Sequence, residues 1–179
     1  MSSRFAGVVP VRQIGPFGSA GSVNVIVESP KGASIKLKYD VSTGVMTVSR
    51  PLQAGLTYPF DWGFIPGTRG ADGDPLDAMV LWDSASFPGV LIPSRLIGML
   101  CVEQTNLGSG KRERNDRLLA VPTSVARIEI RTVDDLTARL RQELKNFFVA
   151  AWPVEAFCAA LATAGLYDKP DGALGSGRQ

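Results

Sequence analysis

The chain contains no histidine. That excludes a Ser-His-Asp or Cys-His mechanism and the usual zinc sites, all of which need an imidazole. Its two cysteines, Cys101 and Cys158, stand in apolar surroundings and offer no disulfide framework. A net charge of +2 is too small to argue for nucleic acid or a membrane surface. No apolar run approaches the roughly 20 residues that a spanning helix needs. The opening MSSRFAGVVPVRQ lacks a signal-peptide core. A cytoplasmic protein with neither nucleic-acid nor membrane partner is expected. Any catalysis must run on carboxylates, Lys, Arg, Tyr or a hard metal ion held by oxygen.

What is present suits an ordinary globular chain of 179 residues, 45% apolar and 20% charged. One domain spanning 1–179 is expected, long enough to bury a substantial core. SVNVIVES (22–29) and SIKLKYDV (34–41) alternate apolar and polar residues around a Pro30-Lys31-Gly32 turn. GVMTVSR (44–50) follows another turn, so 22–50 reads as a meander. YPFDWGFIPG (58–67), rich in aromatics and proline, reads as a packed irregular connection. AMVLW (78–82) and DRLLAVP (116–122) read as strands, and VLIPSRLIGMLCVEQ (90–104) as one long strand or two broken ones. The KRER run at 111–114 reads as a solvated loop, and it is thin support for a nucleic-acid surface.

The remainder reads as helical. Thr132 and Asp135 form a capping-box-like start, and Leu136, Leu140, Leu144, Phe147 and Phe148 recur at helical spacing. Pro153 ends that helix and opens a second, PVEAFCAALATA, which Gly165 terminates. The last residues, about 168–179, are rich in Gly and Pro and are expected to be disordered. Short strands followed by helices give an α+β fold, a small barrel with C-terminal helices packed outside.

The chemistry concentrates in ADGDPLDAMV (71–80), where Asp72, Asp74 and Asp77 fall within six residues. Gly73 and Pro75 stiffen the turn that holds them. Three nearby carboxylates repel one another, and a bound dication converts that repulsion into affinity. Oxygen-only donors suit Mg²⁺ or Mn²⁺. The spacing is not that of an EF-hand loop. The competing reading is an Asx-type turn that only caps a strand. For D-G-D-P-L-D leading into an apolar strand, the metal reading is preferred.

DGDPLDAMVL resembles the signature of the soluble, barrel-type (family I) inorganic pyrophosphatases. VIVESP (25–30), IKLKYDVSTG (35–44), VSRPL (48–52), YPFDWGFIPGT (58–68), LIGML (96–100) and NDRLLAVP (115–122) follow that family's order and spacing. The resemblance covers roughly 22–150. It implies a five-stranded OB-like β-barrel that hydrolyses pyrophosphate to two phosphates with several Mg²⁺ ions. It further implies that Asp72 and Asp77 ligate metal, with Asp77 bridging, and that Asp74 holds the attacking water and accepts its proton. Glu28 would add a carboxylate to the outer metal region, and Lys36 and Arg50 match phosphate-binding cations. Members commonly assemble as homo-oligomers, trimers or hexamers, and FFVAAW and AFCAALATA could cover such an interface.

Several positions depart from that pattern. Lys38 stands in place of a glutamate, Gln104 and Asn115 in place of metal-binding aspartates, and Arg117 in place of a lysine. Trp62 replaces an active-site tyrosine; its indole donates a hydrogen bond but accepts none. Ala151 and Trp152 replace a Tyr-Lys pair that grips substrate. Asn115 keeps an amide oxygen that can ligate a hard metal. Arg117 keeps a cation that can fork onto phosphate. Strand alternation turns Glu103 and Asp116 away from this face. The expected activity is Mg²⁺-dependent pyrophosphate hydrolysis. The alternative is a degenerate member that binds phosphate or a partner with little turnover.

Overall fold

The computed structural model describes residues 10–70, 72–105, 110, 112–125, 129–151 and 161–163, without the side chains of 103–105, 112–113 and 161–163. Its strands are β1 (Val23–Ser29), β2 (Ile35–Asp40), β3 (Val45–Pro51), β4 (Asp61–Phe64) and β5 (Asp77–Val80). They continue with β6 (Leu91–Leu100), β7 (Glu103–Thr105), β8 (Arg112–Arg114), β9 (Arg117–Pro122) and β10 (Leu161–Thr163). The helix α1 spans Ala138–Ala151.

Strands β1, β4, β5, β9 and β6 pair in that order, and β1 pairs with β6 to close a five-stranded OB-like barrel. Every pairing in the closed ring is antiparallel except β5 with β9, which run parallel. The period-two pattern of β5 sends its side chains into different cores. Ala78 and Val80 join Val23, Val25, Val27 and Ile92 in one cluster. Met79 joins the larger cluster that α1 covers. The helix presents Leu144, Phe147, Phe148 and Ala151 to that cluster, a stripe at three- and four-residue spacing. Phe147 packs at a tilt against Tyr58 at 5.2 Å, and Phe148 against Trp62 at 5.9 Å, between ring centroids. Each such buried side chain contributes about 1.5–3 kcal/mol.

Two polar details hold the barrel's wall. Gly63 faces β1 so closely that an added Cβ would lie 1.9 Å from the Ile26 carbonyl oxygen. Only glycine permits this pairing. Asp61, fully buried, accepts the Lys31 backbone N–H at 2.8 Å and the Trp82 indole N–H at 2.9 Å. A buried carboxylate needs such donors, and these tie the β1–β2 turn to the loop after β5.

The structure corrects several expectations. Strands β2 and β3 form their own two-stranded sheet, so 22–50 is not one meander. The segment 58–67 contains β4, whose four residues are all buried. Burial between strands on both sides made it look irregular in composition. The 90–104 stretch takes the two-strand form of its expectation, β6 and β7, while β7 pairs with β8, which occupies the run expected to be a loop. The Thr132–Asp135 capping box is formed, yet it heads a 3-10 turn, Val133–Asp135. Leu136 then turns extended to reach the core. Thr137 starts α1 instead, its hydroxyl accepting the Leu140 N–H at 3.3 Å.

The second helix expected at 153–164 gives way at its far end to β10, which pairs with residues 98–100 of β6. Strand β1 covers only residues 91–94 along that edge of β6, leaving open backbone groups for β10 to meet. Residues 152–160, Trp152 among them, and the tail at 168–179 lie outside the described residues. Among the described residues there is therefore one α-helix, not two. No helix among them is long and apolar enough to cross a membrane.

Tyr58 sits against Trp62 and Phe147 with its hydroxyl buried, and Ser29 approaches without completing a hydrogen bond. Burial pushes the phenol up to about 12, from a usual value of about 10. The native state thus keeps the proton where the unfolded chain loses it, so stability falls as pH rises from about 10 to about 12. Tyr58→Phe is expected to remove that alkaline slope, measured by urea melts across this range. An unchanged slope in the variant would refute the assignment.

Candidate active site

The acidic turn is built by its own backbone. Gly70 donates to the Asp74 carbonyl at 2.7 Å, Gly73 donates to the Gly70 carbonyl at 3.1 Å, and Gly73 adopts φ +90. The Thr68 hydroxyl accepts the Leu76 N–H at 2.9 Å and donates to the Ile65 carbonyl at 2.6 Å, fixing where the turn enters β5. Asp72 accepts the Asp74 N–H at 3.1 Å, an Asx turn.

Asp77 opens β5. The parallel register of Ala78 with Leu118 sets it beside Arg117 at the start of β9. Asp77 Oδ2 lies 3.1 Å from Arg117 Nε. The Nε–H is not aimed at that oxygen, so the contact is an ion pair without a directed hydrogen bond. Arg117 is buried, and Asp77 is partly covered, its side chain 29% exposed. Burial pushes the Asp77 carboxyl up and pulls the Arg117 guanidinium down, and each opposes the other's shift. Arg117 is further held by the Asn115 and Asp116 carbonyls, at 2.7 and 3.0 Å, and by the Asn115 side-chain oxygen. Its guanidinium carbon stands 5.1 Å from the Trp62 ring centroid, a cation–π contact.

Strand β1 brings Glu28 to the same place, 6% exposed, with Oε1 accepting the Tyr39 N–H at 2.7 Å. Burial raises its carboxyl above the usual range, against that hydrogen bond. Lys36 and Arg50 stand opposite each other across the β2–β3 hairpin at a bulge. Burial lowers the Lys36 ammonium, which lies within electrostatic reach of Asp77, Arg117, Lys38 and Glu28. Lys38, two residues along β2, reaches Asp74 Oδ2 at 2.9 Å, and that bond raises its ammonium. Glu28, Lys38, Asp74 and Asp77 line one cleft of about 230 Å³.

Glu28, Asp74 and Asp77 thus line one cleft, with Asp72 within electrostatic reach of Asp77. Other expected site residues fall elsewhere. Trp62 is 1% exposed and lies in the core beneath Arg117, so it supports a cation and presents no surface to a substrate. Asn115 turns its amide oxygen to Arg117 in place of the acidic turn. Asp116 accepts the Val102 N–H and pairs with Arg114 at 2.8 Å, on the far side as strand alternation expects. Ala151 is buried at the end of α1. The side chains of Gln104 and Glu103 lie outside the described residues. Among the lining residues that sequence reasoning missed are Tyr39 and Arg12. Tyr39 alternates like a core residue, and nothing in the strand pattern marks Arg12.

Every acidic donor facing the cleft is a carboxylate oxygen, which suits a hard dication. Among the described residues no three acidic side chains converge as a preformed metal cage. Lys38 and Arg117 hold two of the carboxylates.

The closed OB-like barrel and its mixed cleft define a small barrel protein suited to a polyanion with its counter-cations. Residues 25–162 match the family model described as inorganic pyrophosphatase. The chain is 38% identical over 130 residues to the inorganic pyrophosphatase of Synechocystis, covering 72% of this chain and 73% of that one. It is 40% identical over 126 residues to that of Streptomyces coelicolor, covering 70% and 74%. The crystal structure of inorganic pyrophosphatase from Thermus thermophilus superposes with a TM-score of 0.70 at 29% identity, over 80% of each chain. The chain belongs to the inorganic pyrophosphatase family.

An exposed ion pair is worth about 0.2–1 kcal/mol, so releasing Asp74 from Lys38 strengthens dication binding by at most about five-fold. Lys38→Ala is expected to show that gain for Mn²⁺ by calorimetry. Equal or weaker binding would mean that Lys38 does not compete for Asp74.

Proposed function

We propose that the protein hydrolyses inorganic pyrophosphate to two phosphates in the presence of Mg²⁺, with Mn²⁺ able to serve in its place. One observation carries this reading: in a chain of the inorganic pyrophosphatase family, Asp74 and Asp77 open on the same cleft as Glu28 and Lys38. Asp72, Asp74 and Asp77 would hold the metal, with Glu28 in support. Asn115 is omitted because its oxygen serves Arg117. The bound ions neutralise substrate charge and lower the pKa of water.

The chain's own groups do the rest. Asp74, the exposed carboxylate of the turn, accepts the proton of the attacking water as its oxygen bonds to phosphorus. The bridging P–O bond breaks, and its electrons leave with the departing phosphate. Lys36, Arg50 and Arg117 balance the negative oxygens, and Arg117 does so from a position fixed by Asp77 and Trp62. Burial lowers the Lys36 ammonium, which a phosphate oxygen would stabilise again.

A cytoplasmic place, a small-molecule substrate, and no nucleic-acid or membrane partner complete the reading. The small net charge supports it. Assembly as a homo-oligomer, trimer or hexamer, belongs to the same reading.

Phosphate release from pyrophosphate with Mg²⁺ tests the proposal. Removing a proton acceptor costs about 10²-fold or more, so Asp74→Ala is expected to lose at least that much rate. Equal background rates in both proteins would overturn it and leave phosphate binding without turnover.

A further inference from the structure

One wall of the cleft comes from outside the matched family region, which begins at residue 25. The segment before β1 lies across the barrel as a strap. Phe17 bridges Val23, and the Gly18 N–H donates to the Ser22 carbonyl at 2.8 Å, which turns the chain back along β1. Asn24, 8% exposed, donates its backbone N–H to the Pro16 carbonyl at 2.9 Å and its amide N–H to the Gly15 carbonyl at 3.0 Å. Pro16 rests on Gly67, where an added Cβ would come within 3.1 Å of the ring. Residues 14–18 are therefore fastened by backbone bonds and close packing.

The fastening sets the preceding 3-10 turn, Val11–Gln13, at the cleft rim. Val11 and Arg12 line the cleft with Glu28, Lys38, Asp74 and Asp77. The Arg12 guanidinium is exposed and has no hydrogen bond or ion pair among the described residues. The other cation at this wall, Lys38, is already engaged by Asp74. A planar guanidinium held beside an acidic cleft, with its donors unused, matches the paired oxygens of a phosphoryl group.

We propose that Arg12 is a further substrate-binding residue, held by the strap so that its guanidinium takes phosphate oxygens of the bound diphosphate. This rests on the hydrolase reading above.

The test pairs kinetics with binding. A charge-assisted contact made in both ground and transition state changes KM and leaves kcat alone. Arg12→Ala is expected to raise KM for pyrophosphate about five-fold or more, with kcat within about two-fold. Arg12→Lys is expected to recover part of the loss, and Arg139→Ala, an exposed arginine on α1, to change nothing. Calorimetry with imidodiphosphate and Mg²⁺ is expected to show Kd rising by the same factor in Arg12→Ala. If the wild type turns over and Arg12→Ala keeps KM and Kd, the Arg12 proposal is overturned while the hydrolase reading stands. If the wild type binds imidodiphosphate more tightly than Arg12→Ala without cleaving pyrophosphate, Arg12 is upheld and hydrolysis fails. Absence of binding in both proteins overturns both.

Discussion

The contact between Asp77 and Arg117 joins the core of this protein to its chemistry. Arg117 is buried and Asp77 partly covered, and leaving a buried guanidinium without its acid is costly. The pair exists because β5 and β9 run parallel in one register, which starts both strands at the same level. Arg117 in turn rests on Trp62, and Trp62 packs on Phe148 of α1. A chain of contacts therefore runs from the helix, through the indole and the guanidinium, to the carboxylate at the cleft. The helix contributes no residue to the cleft lining. It secures the cation that secures the acid.

The same logic governs the charge balance around the cleft. Each inward carboxylate has a local partner: Asp77 has Arg117, Asp74 has Lys38, and Glu28 has the Tyr39 backbone N–H. Those partners keep like charges from repelling one another within a small volume. They differ in strength. Arg117 is buried and held by backbone carbonyls, so its pair with Asp77 serves as a fixed part of the frame. The Lys38 pair is exposed and exchangeable, so Asp74 is the carboxylate most readily released from its partner. The departures from the family pattern thus have a physical sense. Lys38 takes up charge that would otherwise be repelled, and Trp62 serves as a platform for the bulkier Arg117.

Much of the strand content was legible, from alternation in 22–41 and from short apolar runs bounded by turns further on. The stretches 22–29, 34–41, 44–50, 78–82 and 116–122 became β1, β2, β3, β5 and β9 within a residue or two. Strand β4 escaped because its aromatic and proline-rich surroundings hide the period, and because Gly63 answers to a close carbonyl rather than to strand propensity. Strands β8 and β10 escaped for another reason. Both are three-residue segments whose pairing depends on an edge presented from elsewhere in the chain. The capping box was legible as chemistry, but the helix it seemed to begin was displaced by the need to bury Leu136.

The order of residues by itself determined the acidic turn. Gly73 supplies a positive φ, Asp72 caps the next amide, and the apolar run after Asp77 enters a strand; all these effects are local. Only the tertiary structure decided which cation meets which carboxylate. Register places Arg117 beside Asp77, the β2–β3 hairpin carries Lys38 to Asp74, and a fastened strap brings Arg12 to the rim. These partners are tens of residues apart along the chain, and only closure of the barrel brings them within reach of one another.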